Sequence, residues 1–195
     1  MADMSIAAAF PRTQPTPTRF ALREATQPEH MALEAAFERA AFFDSEAGYA
    51  RWLTIMQAAL STFGEAYDRG AEACGVGARS EALSEALAQD GAAPGPKITP
   101  TATERSVSEC AGIAYVFEGS AMGAQILLRR LQDTPERPTR YLTQLTQASK
   151  HRWQGFQGGL EQAVPDSERP KAIDGARATF SFLHSCFGGP PHEYL

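Results

Sequence analysis

The stretch 112–131, GIAYVFEGSAMGAQILLRRL, decides how this chain is read. Gly112, Gly119 and Gly123 are spaced by seven and four, so on a helix they fall on one face. Each glycine costs a helix interior about 1 kcal/mol relative to alanine, so three of them need a compensation. Two compensations are open. A neighbouring helix packs very close across the stripped face, or a large flat ligand lies against the bare backbone. The helical reading itself follows from the rest of the chain. Across 195 residues Ala occurs 34 times, whereas Val and Ile together occur ten times. Alanine is the best helix former and strands want β-branched residues, so the composition predicts an all-α protein.

Outward from that stretch, its helix starts near Thr103, where Thr103 to Ser106 offers a cap, and runs to about Leu131. Upstream, from Ala21, the residues Leu22, Thr26, His30, Leu33, Phe37 and Ala40 recur at three- and four-residue steps. Pro28 falls inside that run and is placed to kink its first turn or set it apart. After a break at 42–45, Asp44 or Ser45 caps a helix through Trp52, Leu60 and Phe63, able to continue past Gly64 to Tyr67. Ser80 to Gln89 makes a short helix, and 90–100 and 133–138 are loops. Residues 139–163 form one further helix and 171–187 the last. The expected organisation is a flexible arm over 1–20, one helical domain of six or seven helices over 21–187, and a tail over 188–195.

Composition removes several classes of function. With 18 Lys+Arg against 23 Asp+Glu the net charge is −5, and nucleic-acid binding needs a basic surface. No apolar run approaches the roughly 20 residues that cross a bilayer, and the opening residues are too few for a secretory h-region. A soluble cytoplasmic protein with no membrane partner is the expectation. Cys74, Cys110 and Cys186 are odd in number and lack a CxxC, which excludes a disulfide framework and a zinc ribbon. There is no P-loop, no GxGxxG and no GxSxG, so Ser120 is not in a nucleophile elbow.

Two residues stand out on the first helix. His30 shares the stripe of Leu33 and Phe37, where it is either a hydrogen-bonded core histidine or an axial ligand to haem iron. Glu34 is one turn on; a zinc site would need further ligands that no motif supplies. Arg23 lies seven residues before His30, hence on the same side and about 10.5 Å away along the axis. That span matches the reach from a porphyrin centre to its propionates, but it equally suits an exposed arginine on a first helical turn.

Taken together, two segments resemble the haem oxygenase family. LREATQPEHMALE (22–34) carries an LR-x-x-T-x-x-x-H pattern, and YVFEGSAMGAQIL (115–127) follows some ninety residues later with Y-V-x-E-G-S-x-x-G. The resemblance is nearer to the bacterial, phytochrome-associated branch, which makes biliverdin, and it spans residues 20 to 187. It implies a single-domain multihelical fold with a glycine-kinked distal helix. It also implies an oxidoreductase that cleaves haem with O2 to biliverdin, CO and ferrous iron. Haem is then both substrate and cofactor. Electrons come from an external ferredoxin- or flavoprotein-type donor, and a bacterial phytochrome is a possible recipient of the product.

Site residues follow from the resemblance position by position. His30 falls where the family has its proximal haem ligand and is the implied metal ligand. Gly119 and Gly123 fall on the helix-bending glycines that lie against the haem face, with Ser120 between them. Arg23 matches a basic residue that pairs with a propionate, and Tyr115 heads the distal motif near the propionate side. Lys150 and Arg152 lie where the family has further basic propionate contacts. Glu34 matches an acidic residue of structural role. Two departures stand out: Ala124 replaces the family's second glycine, and Ser120 stands where animal members have an aspartate. They motivate one alternative of the same fold, a haem-binding or haem-sensing protein without catalysis. A helical module whose glycine face packs only on protein is another.

Overall fold

The computed structural model describes residues 16–94, 105–131, 134 and 136–188. In chain order the helices are α1 (Thr18–Ala40), α2 (Glu46–Ala73), α3 (Ser80–Gln89), α4 (Val107–Arg130), α5 (Arg140–Thr146), α6 (Ser149–Ala163) and α7 (Arg169–Gly188). Among the described residues there is no strand, so the all-α expectation holds. A short 3-10 turn, Asp166–Glu168, leads into α7.

The helix that carries the 112–131 stretch, α4, is the centre of the bundle and packs on α2, α5, α6 and α7. Its N-cap is Ser106, whose Oγ accepts from the Glu109 backbone N–H at 3.1 Å; Thr103 lies outside the described residues. Small residues set how near its neighbours come. A Cβ built on Gly112 would sit 1.8 Å from the Ala172 carbonyl oxygen of α7, and one on Gly70 of α2 would sit 2.1 Å from the Cys110 carbonyl oxygen. Both positions demand glycine because backbone meets backbone there. By length and composition α4 could cross a membrane, with mean hydropathy 1.2 over an 18-residue window. That apolarity serves packing: Ile113, Ala114, Ala121 and their neighbours are buried against the surrounding helices.

Three boundaries differ from the sequence expectation. Helix α1 begins at Thr18, inside the proposed arm, because Glu161 of α6 accepts from the backbone N–H groups of Thr18 at 2.8 Å and Arg19 at 3.4 Å. That cap comes from a residue 143 positions away, so no local pattern announces it. Pro28 sits inside α1 without dividing it. The helix expected over 139–163 is two: Ala148 adopts a left-handed φ of 53° and separates α5 from α6. The break lets both segments pack on α4. Asp90 caps α5 through the N–H groups of Arg140 and Tyr141, at 3.1 and 2.8 Å.

All three cysteines are free and buried. Burial pushes the Cys74 thiol up to about 12, which leaves it unreactive.

Candidate functional site

Helices α1 and α4 both pack on α7 but barely touch one another. The space between them is a cleft of two lobes, about 510 and 630 Å³, with Glu34 of α1 on the wall of both. Volumes in this range suit organic ligands rather than lone ions. No group of three or more His, Cys, Asp or Glu able to hold a metal occurs among the described residues.

The first lobe gathers His30 and Arg23 of α1, Tyr115 of α4, Trp153 of α6 and Phe180 of α7. His30 is not a core histidine. Its side chain is 57% exposed, its Nδ1 lies 3.5 Å from Glu34 Oε1, and its ring meets Phe180 edge-on at 5.8 Å. The one-turn spacing to Glu34 is what brings that carboxylate to Nδ1. Among the described residues the polar contact of its ring nitrogens is the one at Nδ1. A carboxylate beside Nδ1 favours the tautomer that leaves Nε2 as the ligand atom.

Tyr115 is half-buried, and its ring lies 5.5 Å from that of Trp153. Burial raises its hydroxyl above the usual phenol range although the Arg23 charge pulls the other way, so Arg23 and Tyr115 share this end of the cleft. The phenol stays neutral at physiological pH and can donate beside a guanidinium. Together the two can take a carboxylate, the stronger bond being the charge-assisted one.

The second lobe is floored by α4 at Ser120, Gly123 and Ala124 and walled by Phe37 and Phe43. A Cβ on Gly123 would meet nothing within 4 Å, whereas one on Gly119 would meet only the Trp153 ring at 3.7 Å. Of the two compensations left open by the glycine spacing, the structure shows close helix packing at one end of the stripe and an open face at the other. Helix α7 closes over Gly112, and the cleft opens over Gly123. Ser120 Oγ donates to the Phe117 carbonyl at 2.8 Å, which turns its proton back onto its own helix. Ala124 is 4% exposed, so its methyl is mostly packed away.

Two expected site residues are placed elsewhere. Lys150 lines a separate shallow depression with Gln125, Thr146 and His151, not the cleft. The Arg152 guanidinium is committed to Glu118, with Nη2 2.7 Å from Oε1, and to the Gly77 carbonyl at 2.8 Å. Burial opposes its charge, but the bond and charge of Glu118 outweigh that and hold it more firmly protonated. Neither residue joins His30, Arg23 and Tyr115. The physical reason for Arg152 is its pairing with the buried Glu118, which holds the guanidinium behind α4, and Lys150 projects on the side of α6 that faces Gln125 and Thr146.

The cleft also holds residues that sequence reasoning missed. Arg19 stands one turn before Arg23 on the same wall, over the Phe20 ring at 4.7 Å. Its i,i+4 relation to Arg23 was the available signal, hidden because α1 was expected to start after it. Trp153 and Phe180 come from helices whose approach no local pattern encodes.

No family model matches the chain. Over 79 residues it is 34% identical to a protein of Xanthomonas campestris pv. campestris (strain 8004) named heme oxygenase. The match covers 38% of this chain and 47% of that protein, so the chain spans about half the length of the relative it matches. It is a distant and partial likeness, and it supports the haem oxygenase family without reaching a particular branch.

Proposed function

We propose that this chain is a haem oxygenase that takes haem into the cleft between α1 and α4 and cleaves it to biliverdin, CO and ferrous iron. The observation that carries the reading is an exposed His30 in one lobe and bare backbone at Gly123 in the other, with Glu34 on the wall of both. A flat macrocycle fits that shape. The Cβ-free space at Gly123 gives it room against α4, and the partial likeness to a protein named heme oxygenase points the same way.

The roles of the residues follow. His30 Nε2 would hold the iron, with Glu34 beside Nδ1 at 3.5 Å to orient the ring. Arg23 and Tyr115, with Arg19 beside them, receive propionate carboxylates at one end. Phe37 and Phe43 keep the second lobe apolar. Gly123 would let the α4 backbone approach the macrocycle without a side chain between, Ser120 would turn its hydroxyl back onto its own helix, and Gly119 makes room for the Trp153 wall. Bound haem supplies the oxygen chemistry; the protein supplies ligation, orientation and a restrained cleft. Electrons come from an external ferredoxin- or flavoprotein-type donor, since no flavin or nicotinamide motif is present in the sequence. The phytochrome-associated resemblance gives biliverdin a bacterial phytochrome as recipient, in the cytoplasm.

One observation favours a second reading. The Ser120 hydroxyl is engaged with Phe117 and does not reach across the cleft, which suits a haem-binding or haem-sensing protein without turnover. Hemin added under air with a reductant separates the two. A Soret band that decays into biliverdin absorbance supports the oxygenase. A haem complex that survives the same treatment supports the sensor, and no Soret shift at all removes both.

A further inference from the structure

A fully buried carboxylate lies behind the cleft floor. Glu118, 0% exposed, immediately precedes Gly119. Its Oε1 accepts from the Tyr67 hydroxyl at 2.8 Å and from Arg152 Nη2 at 2.7 Å. Its Oε2 accepts from Arg79 Nη2 at 3.0 Å and from Arg152 Nε at 3.3 Å. Arg79 also donates to the Tyr67 oxygen at 2.6 Å and to the Leu145 carbonyl at 3.0 Å. One side chain of α4 thus gathers α2, the N-cap of α3, α5 and α6.

Packing alone does not require such a cluster. Burying ions costs several kcal/mol each before pairing offsets it, and apolar replacements of similar volume are often as stable. What forked, charge-assisted bonds add is fixed geometry. The position of the cluster shows what that geometry serves. Arg152 and Trp153 are consecutive on α6. The first reaches Glu118, and the second lies against Gly119 and Tyr115 in the cleft wall. Two turns further along α4, Gln125 Nε2 donates to Ser149 Oγ of α6 at 2.8 Å. Gly119, under the Trp153 ring, and Gly123, open to the cleft, are therefore bracketed by polar ties from α4 to α6.

We propose that Glu118 and Arg152 are positioning residues of the cleft. Their ion pair locks the register of α4 against α6, and so sets the height of the Gly119–Gly123 backbone and of the Trp153 wall opposite His30. Arg152 then acts on the ligand through Glu118 and Trp153 rather than by touching a propionate. The inference rests on the reading of the cleft as a haem site, and its test keeps the two apart.

The test compares the full chain with Arg152→Met, which keeps the stem, and with Glu118→Gln, which keeps the Tyr67 bond. Asp90→Asn serves as a control that loosens the α5 cap away from the cleft. In the ligand-free protein, amide hydrogen exchange over 119–124 should quicken in Arg152→Met and not in Asp90→Asn. With hemin, Arg152→Met should bind with affinity within about tenfold of the unmodified protein. Its kcat should fall about ten- to a hundredfold, as a misplacement of up to about 1 Å does. The spin-state mixture of the iron and the biliverdin isomer ratio should change as well. Asp90→Asn, whatever its loss in melting temperature, should keep kcat and spectrum. Should Glu118→Gln fail to fold, Arg152→Met carries the test alone. The inference is overturned if exchange, spin state and kcat per folded molecule all stay at the unmodified values in Arg152→Met. If the unmodified protein shows no Soret band, the haem reading has failed, and this inference falls with it.

Discussion

Replacing Gly123 with Ala should make the empty protein more stable and its function worse. The added methyl meets nothing within 4 Å, and Gly123 sits in the interior of α4 rather than at its end. Removing a glycine from such a position stabilises a helix by about 0.8–1 kcal/mol. For a domain of this size that raises the melting temperature by roughly 2–4 °C. The same methyl enters the space that the haem reading gives to the macrocycle. Overpacking of that kind costs about 1–3 kcal/mol, or about five- to 150-fold in hemin affinity. Gly112→Ala is the contrasting case. Its methyl would lie 1.8 Å from the Ala172 carbonyl oxygen, so α4 and α7 must separate and the fold loses upwards of about 3 kcal/mol. Thermal melts of both variants and a hemin titration of Gly123→Ala are the assays. A lower melting temperature in Gly123→Ala refutes the open-face geometry. A higher one with unchanged hemin affinity refutes the placement of haem against Gly123.

Arg23→Glu should weaken hemin affinity by at least about tenfold or alter the product isomer, read by titration and product chromatography; no change in either removes Arg23 from the site. Glu161 tends to be raised by its partial burial, but its bonds to Thr18 and Arg19 prevail and hold its carboxyl below the usual range. A depressed folded value means that its stabilisation of α1 is present above the unfolded carboxyl value of about 4.3 and is lost as pH falls through the folded value. Glu161→Gln should therefore lower stability at pH 7 by less than about 1 kcal/mol, the group being exposed, and flatten that acid loss; melts at pH 7 and pH 3 measure both. Ala148→Gly relieves a left-handed φ of 53° and should stabilise the α5–α6 break by roughly 0.5–1 kcal/mol in denaturant unfolding.

How much of this was legible in the sequence varies from residue to residue. The helices carry local signals, and Ser45 caps α2 through the Gly48 N–H at 3.0 Å as its position promised. The glycine stripe of α4 was legible as a face needing compensation. Its division between α7 and the cleft was not, because that depends on where α7 crosses. His30 and Arg23 appeared on one side of α1 from spacing alone, and both line the first lobe. Trp153 and Phe180 did not appear, since nothing near them in sequence points at α1. The start of α1 at Thr18 and the turn at Ala148 were hidden for the same reason. One is capped by Glu161 from another helix, and the other is a non-glycine residue in a left-handed conformation imposed by packing on both sides. Arg152 was assigned to the propionates by the resemblance alone, and its partner in the structure, Glu118, stood unremarked inside the motif.

The central claim is that His30 presents its imidazole to haem iron inside the α1–α4 cleft. The direct measurement is the absorbance spectrum of one equivalent of hemin with the unmodified chain and with His30→Ala. The account predicts a Soret band of an imidazole-ligated haem in the first, its loss in the second, and its partial return on adding free imidazole. A His30→Ala spectrum identical to that of the unmodified chain, or no Soret band in either, contradicts it.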